Sequence, residues 1–274
     1  MAAQAIREPA VAGQFYPADP DQLRSLVSEF IEEGEVDAAP DRVQALIAPH
    51  AGFIFSGPAA GRAYARARGK EPERIVLLGG SHRQLIRTAQ VFSGEAFESP
   101  LGRFPIDAEF AADLAQRWKS RSDEAHAFEH SLEVHLPFVE AVFGLVPIVP
   151  VLFGSGPSEW HANAGRQLAQ RLGPNDLVIA STDFSHYLSQ EQAEAIDKRS
   201  IQAVLQGDWK AYADGIEEGR FSMCGAPAIV VAMTCADDRG ASERVLLDYR
   251  TSAKASGDYS RVVGYAAISL ERPE

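Results

Sequence analysis

Three short apolar runs in this chain each end at a histidine: ALIAPHAG at His50, IVLLGGSH at His82, and LVIASTDFSH, which passes Asp183 before His186. A continuous apolar run such as Ile75-Val76-Leu77-Leu78 is the pattern of a strand buried on both faces of a parallel sheet. Ligands of open α/β sheets bind outside the carboxyl ends of such strands. The pattern therefore predicts one sheet edge that receives histidine or aspartate from three strands. Imidazoles gathered there point to a metal site or to acid/base chemistry.

The remainder of the chain supports an α/β layer fold. DQLRSLVSEFIEE carries Leu23, Val27, Phe30 and Ile31 at helical spacing, with Asp19 or Asp21 as its cap. Strands are expected at 43–48, 75–79 and 176–181, short strands and turns over 84–106, and helices at 57–67, 107–119, 158–172 and 189–205. VPIVPVLFG reads as a strand whose prolines suggest an edge or a break. The second half of EHSLEVHLPFVEAVFG reads as a helix with Leu132, Leu136 and Val139 inward and Pro137 early in it. CGAPAIVVAMTCA reads as a buried helix, and VLLDYRTS and VVGYAAISL as closing strands. Strand–helix alternation without a repeat or long linker predicts one domain, residues 1–274, with a central mixed or parallel sheet flanked by helices.

The composition narrows the functional classes. With 46% hydrophobic residues, 274 residues suffice for one large core. A net charge of −12 argues against nucleic acid or an anionic membrane as the main partner. No stretch approaches the length of a membrane span, and the first residues lack the apolar centre of a signal peptide. Two cysteines make no disulfide framework. These features predict a cytoplasmic protein.

Several residues are candidates for chemistry. Pro49 and Gly52 flank His50, which alone is as readily a hydrogen-bonded core histidine. Gly79 and Gly80 precede His82; without GxGxxG or GxxxxGK[ST], they read as a turn that aims Ser81 and His82 into a cleft rather than as a phosphate loop. Asp183 and His186 would form an orienting carboxylate–imidazole pair, or Asp183 would cap the next turn. His130 and Glu133, three apart, would share a helical face, with His135 pointing elsewhere and Glu129 available as an ion-pair partner. Cys224 would open the helix of CGAPA, where a thiolate is favoured. Cys235 reads as packing, and His126 and His161 have no supporting context. His50, His82 and Cys224 could meet as a three-ligand site; imidazole and thiolate together suit iron, zinc or copper.

AVAGQFYP, IAPHAGFIFSG, LLGGSHR, FEHSLEVHLPF, STDFSH, CGAPA and DYRTSAK…YAA occur in an order that resembles the Memo family, the protein B component of AmmeMemoRadiSam systems. The resemblance runs nearly end to end. It implies the fold of class III extradiol dioxygenases. It also implies a pocket in which His50, His82 and Cys224 hold a non-haem metal, most plausibly iron as Fe2+, with zinc or copper as alternatives. Asp183 and His186 would line that pocket, His130 would lie near it, and His186 would be the acid/base group. Class III dioxygenases carry a carboxylate where Cys224 stands, so ring cleavage is not simply inherited. The implied function is redox or dioxygenase-like chemistry on a small substrate. The alternatives are an adaptor that binds a ligand or phosphotyrosine-type peptide, and a metal-dependent hydrolase. The implied partners are a radical S-adenosylmethionine protein and an Ammecr-type protein.

Overall fold

A computed structural model describes residues 6–33, 36–120, 122–154 and 156–274. The strands are β1 (Ile6–Arg7), β2 (Val43–Ala48), β3 (Ile75–Gly80), β4 (Ala89–Val91), β5 (Ala96–Ser99), β6 (Gly102–Pro105), β7 (Ile148–Phe153), β8 (Leu177–Ser181), β9 (His186–Leu188), β10 (Glu243–Thr251) and β11 (Val262–Glu271). The helices are α1 (Pro20–Glu32), α2 (Phe53–Arg66), α3 (Ala108–Trp118), α4 (Leu136–Phe143), α5 (Glu159–Ala169), α6 (Gln190–Gln206), α7 (Trp209–Glu217), α8 (Ala226–Asp238) and α9 (Ala253–Ser256).

The main sheet has the order β10-β11-β2-β8-β3-β7-β4, with β9 paired to β11. Strands β2, β8, β3 and β7 are mutually parallel, and every residue of the four is buried. That burial on both faces is why they read as unbroken apolar runs. The flanking pairings β10–β11, β11–β2 and β4–β7 are antiparallel, so the sheet is mixed. A small sheet, β1-β5-β6, sits apart.

Local chemistry accounts for the helices. Asp19 caps α1, accepting from the Asp21 and Gln22 N–H groups. The inward face of α1 is Leu23, Val27, Phe30 and Ile31, as the spacing predicts. Gly61 of α2 faces the Phe30 backbone, where an added Cβ would lie 2.2 Å from the carbonyl oxygen. Glycine thus lets the two helices touch through backbone. Helix α8 is buried from Ala226 to Ala236 and packs on the central strands. Cys235, as expected, is a packing residue within it, its thiol pushed up to about 12 by burial.

Two expectations are corrected. β7 is neither an edge nor a break: it lies between β3 and β4. Pro150 is tolerated because its carbonyl accepts from Phe92 N–H at 3.1 Å, on the side where β4 has just ended. The N and O of one strand residue face the same way, so the missing N–H falls where the ladder stops. Gly79 and Gly80 form no turn but are the last residues of β3. A Cβ on Gly79 would strike Leu132 and Ser131 at 2.7 and 2.8 Å, and one on Gly80 the Cys224 carbonyl at 2.7 Å. They are small so that two other segments can close over the strand end.

His135 is buried, its Nδ1 3.1 Å from the Tyr64 hydroxyl, and burial lowers its pKa to about 3. The unfolded chain protonates this histidine near 6.5, whereas the folded chain keeps it neutral. Its stability contribution is therefore complete above about pH 6.5 and is lost as pH falls toward 3. Replacing His135 by Gln should flatten the pH dependence of the unfolding free energy between about pH 6 and 4 by roughly 1.4 kcal/mol per pH unit. Urea denaturation across that range measures it; an unchanged slope would refute the assignment.

Candidate metal centre

β8 runs between β2 and β3, so His50 and His82 emerge from strands on either side of it. The two rings nevertheless meet edge to face with centroids 5.0 Å apart. Ser181, the last residue of β8, lies beneath the meeting point. Its hydroxyl donates to the Ser131 carbonyl at 2.6 Å, and its oxygen lies 2.6 Å from His50 Nδ1. With its proton already committed, Ser181 accepts from His50 Nδ1–H. His50 Nε2 is then the unprotonated nitrogen, and it lies 3.3 Å from Cys224 Sγ. Burial and the neighbouring imidazoles hold the His50 pKa well below its ordinary value, so it is neutral.

His82 is tied in the same manner by another residue. Its Nδ1 is 2.9 Å from Glu129 Oε1, and its backbone N–H donates to Glu129 Oε2 at 2.6 Å. Glu129 is buried and also accepts from Ser131 N–H at 2.9 Å. Burial opposes both charges, but His82 and Glu129 stabilise each other: the carboxyl is shifted down, and the imidazole, which also faces Cys224, is shifted up. The arrangement is the carboxylate–histidine pair that orients metal ligands.

Cys224 lies just before Gly225, the N-cap of α8, rather than within the helix. Its N–H donates to the Asp183 carbonyl at 3.2 Å, and Gly225 N–H donates to Thr182 Oγ1 at 2.9 Å. A Cβ on Gly225 would lie 2.2 Å from the Ser181 carbonyl, so only glycine lets α8 begin this close to the end of β8. Asp183 N–H points at Cys224 Sγ at 3.2 Å. The result is one ligand atom each from His50, His82 and Cys224, all within 4.8 Å of one another. His50 is 2% exposed while the His82 side chain is 29% exposed, so the group is walled on one side and open on the other.

The remaining candidates divide. His130 joins the site: its ring centroid is 4.7 Å from His82, 5.4 Å from His50 and 4.9 Å from Phe15. Its Nδ1 is 3.3 Å from Glu129 Oε1 but makes no hydrogen bond, and burial pulls its pKa down to about 4. His186 lies within electrostatic reach of His82 and His50, its pKa lowered first by burial. The expected Asp183–His186 pair does not form. Asp183 Oδ1 accepts from His50 N–H at 2.8 Å, and burial raises its carboxyl pKa to about 7. The β8 end turns Asp183 toward β2, whereas His186 already pairs with β11. His126 and His161 are buried away from the group, bonded to the Gln90 carbonyl and to Ser158.

Glu133 does not share a face with His130, because residues 133–135 form a 3-10 turn preceded by irregular chain. It instead accepts from the Arg7 guanidinium, Ala10 N–H, Val11 N–H and the Tyr16 hydroxyl. Arg7 also donates to the His126 and Glu129 carbonyls. This buried pair fastens residues 7–16 to the loop that carries Glu129 and His130. The sequence pattern points to neither Arg7 nor Ser181. A lone arginine near a chain start carries no pattern, and Ser181 was hidden inside an otherwise apolar run.

The family model described as Memo-like protein matches residues 7–269. A protein of Methanopyrus kandleri described as MEMO1 family protein MK0963 is 38% identical over 280 residues, covering 97% of this chain and 99% of its own length. A MEMO1 family protein of Aquifex aeolicus is 36% identical over 269 residues, covering 96% and 98%. A crystal structure of the uncharacterized Escherichia coli K12 protein JW3007 superposes with a TM-score of 0.53 at 13% identity, covering 84% of this chain and all of that one; it shares the fold.

Replacing Glu133 by Ala should cost about 3–5 kcal/mol, because it strands a buried guanidinium. Denaturant unfolding measures this, and a loss below about 1 kcal/mol would mean that Arg7 finds another partner.

Proposed function

The chain belongs to the Memo family, and from its ligand cluster we propose that it is a metal-dependent enzyme of redox or dioxygenase-like chemistry on a small substrate. His50, His82 and Cys224 hold the ion in this reading, and iron is the metal. The observation that carries it is the convergence of three ligand atoms with both imidazole Nδ1 atoms already engaged. Tethering Nδ1 fixes the tautomer and leaves Nε2 for a cation. Imidazole nitrogens with a thiolate are a donor set that iron, zinc and copper all accept. A bound iron would supply an open coordination position and one-electron chemistry toward dioxygen or an oxygenated substrate.

The protein's own groups then have defined duties. Ser181 and Glu129 hold the two imidazoles in place. Asp183 fixes the His50 backbone and lends its N–H to the Cys224 sulfur. His130 and Phe15 wall the cleft, and burial keeps the His130 imidazole neutral. His186, on the more open side, moves a proton to or from the substrate.

A second reading draws on the rim. Leu85, Phe128 and Tyr187 are exposed at 107%, 74% and 66% and lie one to three residues from His82, Glu129 and His186. Exposed apolar side chains around a cleft suit a docking partner, which favours an adaptor that binds a phosphotyrosine-type peptide. No helix among the described residues is long and apolar enough to cross a membrane.

Elemental analysis of anaerobically purified protein separates the two. Near-stoichiometric iron, abolished in His50→Ala, His82→Ala and Cys224→Ala, is the expected result. Glu129→Gln and Ser181→Ala should each weaken metal affinity about 10–100-fold without unfolding the chain. Zinc in place of iron would move the reading to hydrolysis. Folded, metal-free protein that binds a phosphotyrosine peptide would replace it with the adaptor.

A further inference from the structure

Asp197 lies in the middle of α6 and is fully buried, a costly place for a carboxyl unless each oxygen is engaged. Its Oδ1 accepts from Ser185 N–H at 2.9 Å and its Oδ2 from the Tyr249 hydroxyl at 2.8 Å. Ser185 immediately precedes His186. The same short segment is gripped from β11: Phe184 N–H donates to the Gly264 carbonyl at 2.9 Å, and Gly264 N–H donates to the Ser185 carbonyl at 3.0 Å. Gly264 cannot be larger, since a Cβ there would lie 1.8 Å from Asp197 Oδ2.

This grip adjoins a strained residue. Among the described residues other than glycine, only Lys119 and Tyr187 have positive φ. Lys119 ends α3, a usual place for it. Tyr187, at φ 60°, lies inside β9, directly after His186. Such a conformation persists only where its surroundings over-determine it. Ser185 is fixed on one side of His186, and Leu188 is paired with Val262 on the other.

We propose that Asp197, held by Tyr249, is the positioning residue for His186: it fixes the Ser185 peptide and so aims the imidazole into the cleft. The importance of that aim rests on the acid/base role given to His186 above, but the positioning itself does not depend on a metal.

The test uses the full chain labelled at histidine 13Cε1, with the His186 NMR signal assigned by its loss in His186→Gln. Asp197→Ala should displace or split the His186 signal while the His161 signal stays in place. Asp197→Asn, which keeps an oxygen for Ser185 N–H, should return it toward the wild-type position. A His186 signal unmoved in folded Asp197→Ala, or an Asn variant no closer to wild type than Ala, would overturn the proposal. If Asp197→Ala fails to fold, Tyr249→Phe, which removes one hydroxyl, decides: displacement of the His186 signal supports the proposal and an unmoved signal refutes it. Metal content is read on the same wild-type sample. Its absence would sink the enzymatic reading and leave the His186 result standing.

Discussion

β8 separates β2 from β3, and the candidate centre is built around that fact. Adjacent strands lie about 4.8 Å apart, so side chains from β2 and β3 start roughly 10 Å from each other. They can meet only by leaning across the end of β8, and the residue there must be small. Serine meets the steric demand and adds a hydroxyl that tethers His50 and the Ser131 carbonyl together. The neighbouring glycines follow from the same crowding. Gly79, Gly80 and Gly225 are all positions where a methyl group would strike the segments that converge over the strand ends.

Two carboxylates four residues apart then carry different burdens. Glu129 orients a ligand at the cleft, whereas Glu133 faces the interior and binds residues 7–16. Arg7 couples them, because it pairs with Glu133 and also donates to the Glu129 carbonyl. Burying a pair of this kind adds little net stability but is expensive to break. Its effect here is geometric: the segment between α3 and α4 is fixed at both Glu129 and Glu133.

Much of this was legible in the residues. Buried parallel strands announce themselves as apolar runs, and their carboxyl ends are where ligands collect, so His50, His82 and the Asp183–His186 stretch pointed to one edge. Cys224 was legible as a helix-start thiol, although only the fold brings it to His50. What failed did so for tertiary reasons. Pro150 looked like an edge signal because sequence does not show that a neighbouring strand ends opposite it. Gly79 and Gly80 looked like a turn because their function is to be approached by remote residues. Spacing of three suggested a shared helical face for His130 and Glu133, but the segment is irregular there. Asp183 found a backbone amide 133 residues away in place of the histidine three residues on.

His50 and Cys224 are 174 positions apart, and Arg7 and Glu133 are 126 apart. Contacts of such range close late, since the entropy of a long loop must be overcome before they reward it. During synthesis, the imidazoles emerge long before the sulfur that completes their set. Until the stretch after β8 has settled and α8 has seated against it, the chain holds two histidines and no third donor. The full donor set is thus a late product of folding, and its assembly reports that the carboxyl-terminal half has closed onto the sheet.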